Sequence, residues 1–453
     1  HAYSPLPAAG SAAGAASTYS YGKSIAEIEA ELSEEQRGAL RASSEVAIDF
    51  NECFQKLYEE YEEKRGEIAA LLEHFSERAA VIGKTIIQEL HLPYAQKTIR
   101  PLHSGKGIAG GEKFMHERIF FKFAHDYLHI YNGDEYAQKA AGHELKSLNQ
   151  ILPIAHQGGL HFPLMCLVDF LGHRLVAAAC LPISNETLVY GSSDGARTVK
   201  QDPRVESRMN QVATQLNIKP HRVRDVMLSG PFDLEAHLAR DGRVYLVDCH
   251  RLFPPEPPLP NIQACYLYRL LRPELVIANS VPLSSDAFSY VASTEEDEAD
   301  VIKATSHLFD VVIPAYLRKN RSGVGQCLVQ QLHMHGINLR FLGVLYDLRP
   351  SAGLLVEIFA RTLKQLMRSS MRGVRSVLEE DHLEAAVRHL NFFFGHDATS
   401  KRYLQSIFLP SIQLRFPSTR LATSNLWSLA RPRVVPLFNR IQVLTGITFR
   451  REC

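Results

Sequence analysis

The chain has 453 residues, 45% of them hydrophobic and 22% charged, enough for two or three packed units with large cores. Fifty basic against 49 acidic residues give a net charge of +1, which excludes a global field directed at nucleic acid or a membrane surface. The seven cysteines are scattered, odd in number and show no CxxC pair, which points to reduced thiols rather than a disulfide framework.

In chain order, residues 1–22 are an Ala/Gly/Ser-rich stretch without the apolar run of a signal peptide, and read as a flexible tail. Residues 23–95 form a helical leader: apolar residues recur at three- and four-residue spacing, Pro is absent until Pro93, and two or three amphipathic helices are predicted. Such a leader suits packing against the rest of the chain or self-association. The longest apolar run, Leu175–Ile183, is too short for a membrane span.

Residues 96–260 form a strand-rich unit around one predicted helix. "KFMHERIFFKFA" is strand-like, "DEYAQKAAGHELKSLNQI" has helical spacing with Asp134 suited to the N-cap, and "LMCLVDFLGHRLVAAACLP" reads as a hairpin turning at Leu171-Gly172-His173. "TLVYG" and "RVYLVDC" are further strands. A strand–turn–strand pattern with Asp241-Gly242 at its tip delivers Asp248 to the end of its second strand. "FPPEPPLP" is extended, because proline removes donors and biases its predecessor away from helix. From residue 261 to 453 the helical period returns, as in "AGLLVEIFARTLKQLMRSSMRGV" and "EEDHLEAAVRHLNFFFG". Within it Lys364, Arg368, Arg372 and Arg375 form a basic run, either a solvated face or an RNA-contacting stripe. The 20 histidines scatter, and no HExxH or GxSxG pattern occurs.

Several blocks in one order, "GDEYAQKAAGHELKSLNQI", "LVDFLGHRLVAAACLPIS", "LVYGSSDGARTV", "DGRVYLVDCHRLFPPEPP", "HGINLRFLG" and "EIFARTLKQLMRSSMR", resemble successive parts of the clustered-mitochondria (Clu) domain. That resemblance implies a cytoplasmic protein tied to mitochondrial distribution, with messenger RNA or the ribosome as partners. Larger members carry a ubiquitin-like segment before the domain and tetratricopeptide repeats after it; neither is expected in this sequence.

A second, looser resemblance is to the protein-kinase fold. It implies an α+β class, a two-lobed core of a strand-rich and a helical lobe preceded by the helical leader. Phosphoryl transfer needs a flexible backbone cover, a lysine on the phosphates, carboxylates for Mg²⁺ and a group at the acceptor hydroxyl. The chain offers these in order. Gly107, Gly110 and Gly111 lie in a Gly-rich turn suited to a nucleotide phosphate. Lys122 sits alone in an aromatic strand, and Glu144 follows 22 positions later on the predicted helix as its partner. Cys180 to Ser184, with Pro182 at its centre, is placed like an adenine-binding hinge. Asp233 stands where a catalytic-loop base or orienter would, and Asp248, 15 positions on, where a metal-binding aspartate would. His237 takes the place of the usual asparagine metal ligand, although imidazole suits softer metals than Mg²⁺. Arg251 is expected to pair with Asp248 or Glu256, and Asp194 with Arg197 either to form a helix cap or turn pair or to line the cleft. That resemblance implies a nucleotide-binding protein with ATP and Mg²⁺ as cofactors and, as its activity, ATP-dependent phosphotransfer. The alternative is a non-catalytic module associating with RNA or the ribosome.

Overall fold

The computed structural model describes residues 38, 47–102, 112–260, 262, 264–320, 328–425, 428–429 and 433–448. The chain divides into two compact units: His1–Ile86, Tyr94–Val168 and Arg174–Thr305 in the first, and Ile87–Pro93, Asp169–His173 and Ser306–Cys453 in the second.

The first unit opens with helices α1 (Phe50–Tyr58) and α2 (Arg65–Gln88). Asp49 caps α1 by accepting the Glu52 amide. The buried face of α1, Phe50, Phe54 and Tyr58, is aromatic, and Phe50 meets the fully buried Phe75 of α2 edge-on at 5.2 Å. Polar residues on the same face tie the helix to later strands. Asn51 donates to the Tyr245 hydroxyl at 3.2 Å, and Gln55 donates to the Phe162 carbonyl at 2.8 Å.

Two four-stranded sheets and one hairpin follow. The first sheet has the order β1 (Lys113–His116), β2 (Ile119–Phe123), β5 (His173–Ala179), β4 (Met165–Phe170), with helix α3 (Asp134–Ala155) between β2 and β4 in sequence. "KFMHERIFFKFA" is therefore two strands rather than one. They turn at Glu117 and Arg118, both left-handed at φ 49° and 57°, with the Glu117 carboxylate held by Arg78. The β4–β5 connection turns at Leu171-Gly172, where the sequence indicates it.

The second sheet has the order β3 (Leu160–His161), β10 (Val244–Val247), β9 (Glu235–Leu238), β6 (Leu188–Tyr190). β9 and β10 make the antiparallel hairpin around Asp241-Gly242, with Glu235 opposite Val247 and His237 opposite Tyr245. β7 (His221–Val223) pairs with β8 (Val226–Leu228). A second helix, α4 (Pro203–Leu216), lies in this region, where the sequence reading allowed one. Asp202 caps it and Pro203 opens it. Asp134 is the first residue of α3 rather than its cap, and accepts the Asp126 amide.

In the second unit the long amphipathic helix α5 (Ala352–Arg372) packs against α6 (Glu379–Phe394) and α7 (Val434–Thr445). Phe359 meets Phe393 and Phe408 edge-on. Of the basic run, Arg368 pairs with Asp169 at 3.2 Å and Arg372 donates to the Gly172 carbonyl at 2.9 Å, while Arg375 lies past the end of α5 and is exposed.

One glycine fixes how the strands approach the loop before β9. Gly191, φ 83°, follows β6, and a Cβ there would lie 1.8 Å from the Leu234 carbonyl oxygen. Gly191→Ala is expected to lower stability by more than about 2 kcal/mol, through both the left-handed backbone and the clash. Urea denaturation reads this directly, and a loss under about 0.5 kcal/mol would contradict the packing.

Candidate functional site

Helix α3, strands β2, β9 and β10 and the turn after β10 bring the ionisable residues of the first unit into one buried cluster. Lys122 comes from β2, Glu144 from α3, Glu235 and His237 from β9, and Asp233 from the turn before it. Asp248 follows β10, and Arg251 ends the 3₁₀ turn Cys249–Arg251. Lys122 is 5% exposed and Asp248 not at all. The Asp248 carboxylate is near enough to act electrostatically on the Lys122 amine.

Burial pushes the Lys122 amine down to about 7; the neighbouring Lys113 adds to this and the Asp248 carboxylate opposes it. Asp248 is raised well above the usual carboxylate range, by burial first and then by Glu235 and Glu144. Its backbone is left-handed, φ 59° and ψ 40°, a conformation that costs a non-glycine residue energy and concentrates at functional sites. Neither of its carboxylate oxygens has a hydrogen-bond partner among the described residues. Glu144 spends Oε1 on the Cys249 amide at 3.0 Å, so it anchors the turn after Asp248. Its Oε2 is buried without a hydrogen-bond partner among the described residues, and burial pushes its carboxyl up to about 7.

Asp233 is differently placed. Arg251 grips it with two donors, Nε to Oδ2 at 2.8 Å and Nη2 to Oδ1 at 2.9 Å, and reaches Asp286 Oδ1 at 2.7 Å. Arg251 therefore pairs with neither Asp248 nor Glu256; Glu256 takes Arg269 at 3.0 Å. The guanidinium also lies 4.8 Å from the Phe232 ring centroid. Asp286 completes the clamp by accepting from His221 Nε2 at 2.8 Å and the Phe232 amide at 2.9 Å.

His237 has both ring nitrogens engaged. Nδ1 faces Thr187 Oγ1 at 3.1 Å and the Ser184 carbonyl at 3.2 Å, and Nε2 faces Glu235 Oε2 at 3.1 Å. Pro182 is exposed, while its neighbours Leu181 and Ile183 pack with Ala239, Tyr245 and Val247. Gly107, Gly110 and Gly111 lie outside the described residues. Asp194 organises its own turn, accepting from Thr198 and Ser192.

The sequence reading missed Glu235, Asp286 and His221. Glu235 had a signal: it stands two residues before His237, so the two share a strand face. Asp286, 35 residues after Arg251, had none.

Mg²⁺ fits this chemistry in one respect: buried carboxylate oxygens of Asp248, Glu144 and Glu235 lack hydrogen-bond partners among the described residues, an arrangement that oxygen-seeking cations satisfy. Among the described residues no three His, Cys, Asp or Glu side chains are grouped to hold a metal unaided. An ion here would need oxygens from a bound molecule, as Mg²⁺ commonly takes from phosphates.

Residues 49–258 match the family model described as Clustered mitochondria, and residues 324–433 match that of Translation initiation factor eIF3 subunit 135. Residues 49–258 thus carry the likeness to clustered-mitochondria proteins that the sequence blocks indicate. Among its relatives, the Clustered mitochondria protein of Arabidopsis thaliana is 24% identical over 369 residues, covering 58% of this chain and 25% of that protein. The homologue of Ajellomyces capsulatus is 24% identical over 477 residues, covering 79% and 37%. That of Schizosaccharomyces pombe is 23% identical over 397 residues, covering 64% and 34%. The chain thus spans between a quarter and 37% of the length of these relatives. No solved structure matches it. No described helix is long and apolar enough to cross a membrane, and none of the five described cysteines is in a disulfide.

The clamp has a pH signature. Burial disfavours protonation of His221, but the hydrogen bond and charge of Asp286 outweigh it and raise the imidazole above its ordinary 6.5. The stability this brings is complete below about 6.5 and lost as pH rises through the folded value. Wild type is expected to lose stability to urea between pH 6 and pH 8, and His221→Gln to lose less. Equal pH slopes for the two proteins would show that His221 is not charged in the fold.

Proposed function

We propose that this Clu domain has a protein-kinase-like core that binds an ATP-type nucleotide with Mg²⁺ and does not transfer its phosphoryl group. The observation that carries the reading is the burial of Lys122 and Asp248 within electrostatic reach of each other, the latter with neither carboxylate oxygen hydrogen-bonded among the described residues. An amine next to an unsatisfied carboxylate suits a phosphate and its counter-cation together. The chain order supports it as well: a lysine on a sheet strand, a helix carrying a glutamate, the β4–β5 hairpin and, after further strands and helix α4, a hairpin followed by an aspartate. Lys122 would meet the phosphates, Asp248 would hold Mg²⁺, and Glu144 would keep the turn after Asp248 in place. When bound, Mg²⁺ would neutralise phosphate charge.

Absence of transfer follows from Asp233. A general base must reach the acceptor hydroxyl, and this carboxylate is wholly buried with both oxygens on Arg251. The test is a thermal shift with Mg-ATP. Saturation at about 100 times the dissociation constant stabilises by about 2.7 kcal/mol. The shift should vanish in Lys122→Met and Asp248→Asn, while ATP hydrolysis stays at the buffer level. No shift in wild type, or an undiminished one in both variants, refutes nucleotide binding. Transfer activity that Asp233→Asn removes refutes the silent site.

A second reading is favoured by the match of residues 324–433: association with the translation machinery, in a protein of cytoplasmic location whose family name points to mitochondrial distribution. It predicts co-sedimentation with ribosomal or initiation-factor fractions that weakens as salt rises. A chain that stays at the top of the gradient at low salt counts against it.

A further inference from the structure

From the cluster we infer that Glu235, not His237, is the second protein ligand for the divalent cation, which sits between Glu235 and Asp248. This rests on the nucleotide-binding reading and adds to it the identity of the metal pair.

Four observations converge. Glu235 is wholly buried, and its Oε1 has no hydrogen-bond partner among the described residues. Asp248 is wholly buried with both oxygens in the same condition. The ladder sets Glu235 opposite Val247, one residue before the left-handed Asp248, and the Glu235 carboxylate acts electrostatically on that of Asp248. Finally, Glu235 Oε2 is held by His237 Nε2 at 3.1 Å, and that ring is fixed from its other nitrogen by Thr187 Oγ1 and the Ser184 carbonyl. One oxygen is thus oriented by the protein while the other is left for a ligand, which is how an outer residue holds a metal-binding carboxylate.

The chemistry selects the ion. Two carboxylates in a buried site attract a hard, doubly charged cation and leave its remaining positions to oxygens from phosphate or water, which describes Mg²⁺ or Mn²⁺. Imidazole at His237 would favour softer metals, but neither of its nitrogens is turned to the ion. His237 is a positioning residue. Lys122 lies beside the pair and balances part of its charge until the cation and phosphates arrive.

Mn²⁺ serves as the probe, its binding to the full chain read from the loss of the free-ion electron paramagnetic resonance signal, with and without ATP. ATP binding is measured separately in EDTA with a fluorescent ATP analogue. Wild type is expected to bind Mn²⁺, and Glu235→Gln to bind it at least about tenfold more weakly while still binding the analogue in EDTA. His237→Gln, which keeps both carboxylates, is expected to show a smaller loss. Should Glu235→Gln fail to fold, Glu235→Asp replaces it, and wild type alone supplies a second readout: bound Mn²⁺ should broaden the His237 ring resonances beyond those of exposed histidines. Mn²⁺ affinity unchanged in Glu235→Gln, or sharp His237 resonances at saturating Mn²⁺, overturns the metal pair and leaves nucleotide binding standing. Failure of wild type to bind the ATP analogue with or without metal overturns the underlying reading and this inference with it.

Discussion

The Arg251 guanidinium, wholly enclosed between Asp233 and Asp286, is the interaction on which the site depends. It joins the turn after β10 to the turn before β9 and to a loop 35 residues further on. A buried charge is tolerable only when paired and hydrogen-bonded, and here both carboxylates answer it while an aromatic ring lies against it. Removing the arginine would strand two buried carboxylates, at a cost of about 3–5 kcal/mol. Because the clamp consumes Asp233, it also decides the chemistry: the carboxylate that would act as base is committed to structure, and the negative charge left facing Lys122 is that of Asp248 and its neighbours.

That remaining charge is imbalanced in the protein itself. Among the described residues Glu144, Glu235 and Asp248 each keep a buried oxygen without a hydrogen-bond partner, while burial drives the Lys122 amine towards neutrality. Such an arrangement holds strain that a cation and an anionic ligand together would relieve, whereas either alone would leave part of it. The left-handed backbone at Asp248 belongs to the same account. It turns the chain at the end of the strand, and the Glu144 bond to the Cys249 amide holds the chain in that turn.

Much of this was legible in the residues. A lysine alone in "IFFKF", a strand ending in Asp248 and a turn at Asp241-Gly242 carry local signals, and each lies where the spacing put it. The Glu117-Arg118 turn was hidden, because neither residue belongs to the glycine and asparagine class that advertises a left-handed pair; an ion pair to Arg78 holds it instead. The pairing of Arg251 was hidden for another reason. Nearby acidic residues such as Asp248 and Glu256 are all plausible partners along the chain, and only the folded arrangement selects Asp233 and Asp286. The basic run on α5 misleads in the same way: helical spacing aligns Arg368 and Arg372, but their partners at the β4–β5 turn, 199 and 200 residues earlier, cannot be read from that spacing.

The hydrogen bond from Asn51 to Tyr245 has a consequence for how this chain comes into being. It spans 194 residues, and the aromatic face of α1 lies in the same core as the strand it reaches. At 5–20 residues per second, a translating ribosome needs roughly 10–40 s after making α1 before β10 exists to receive it. Throughout that interval Phe50, Phe54 and Tyr58 have no finished hairpin to dock on, and the nascent segment must be sheltered or risk sticking to its neighbours.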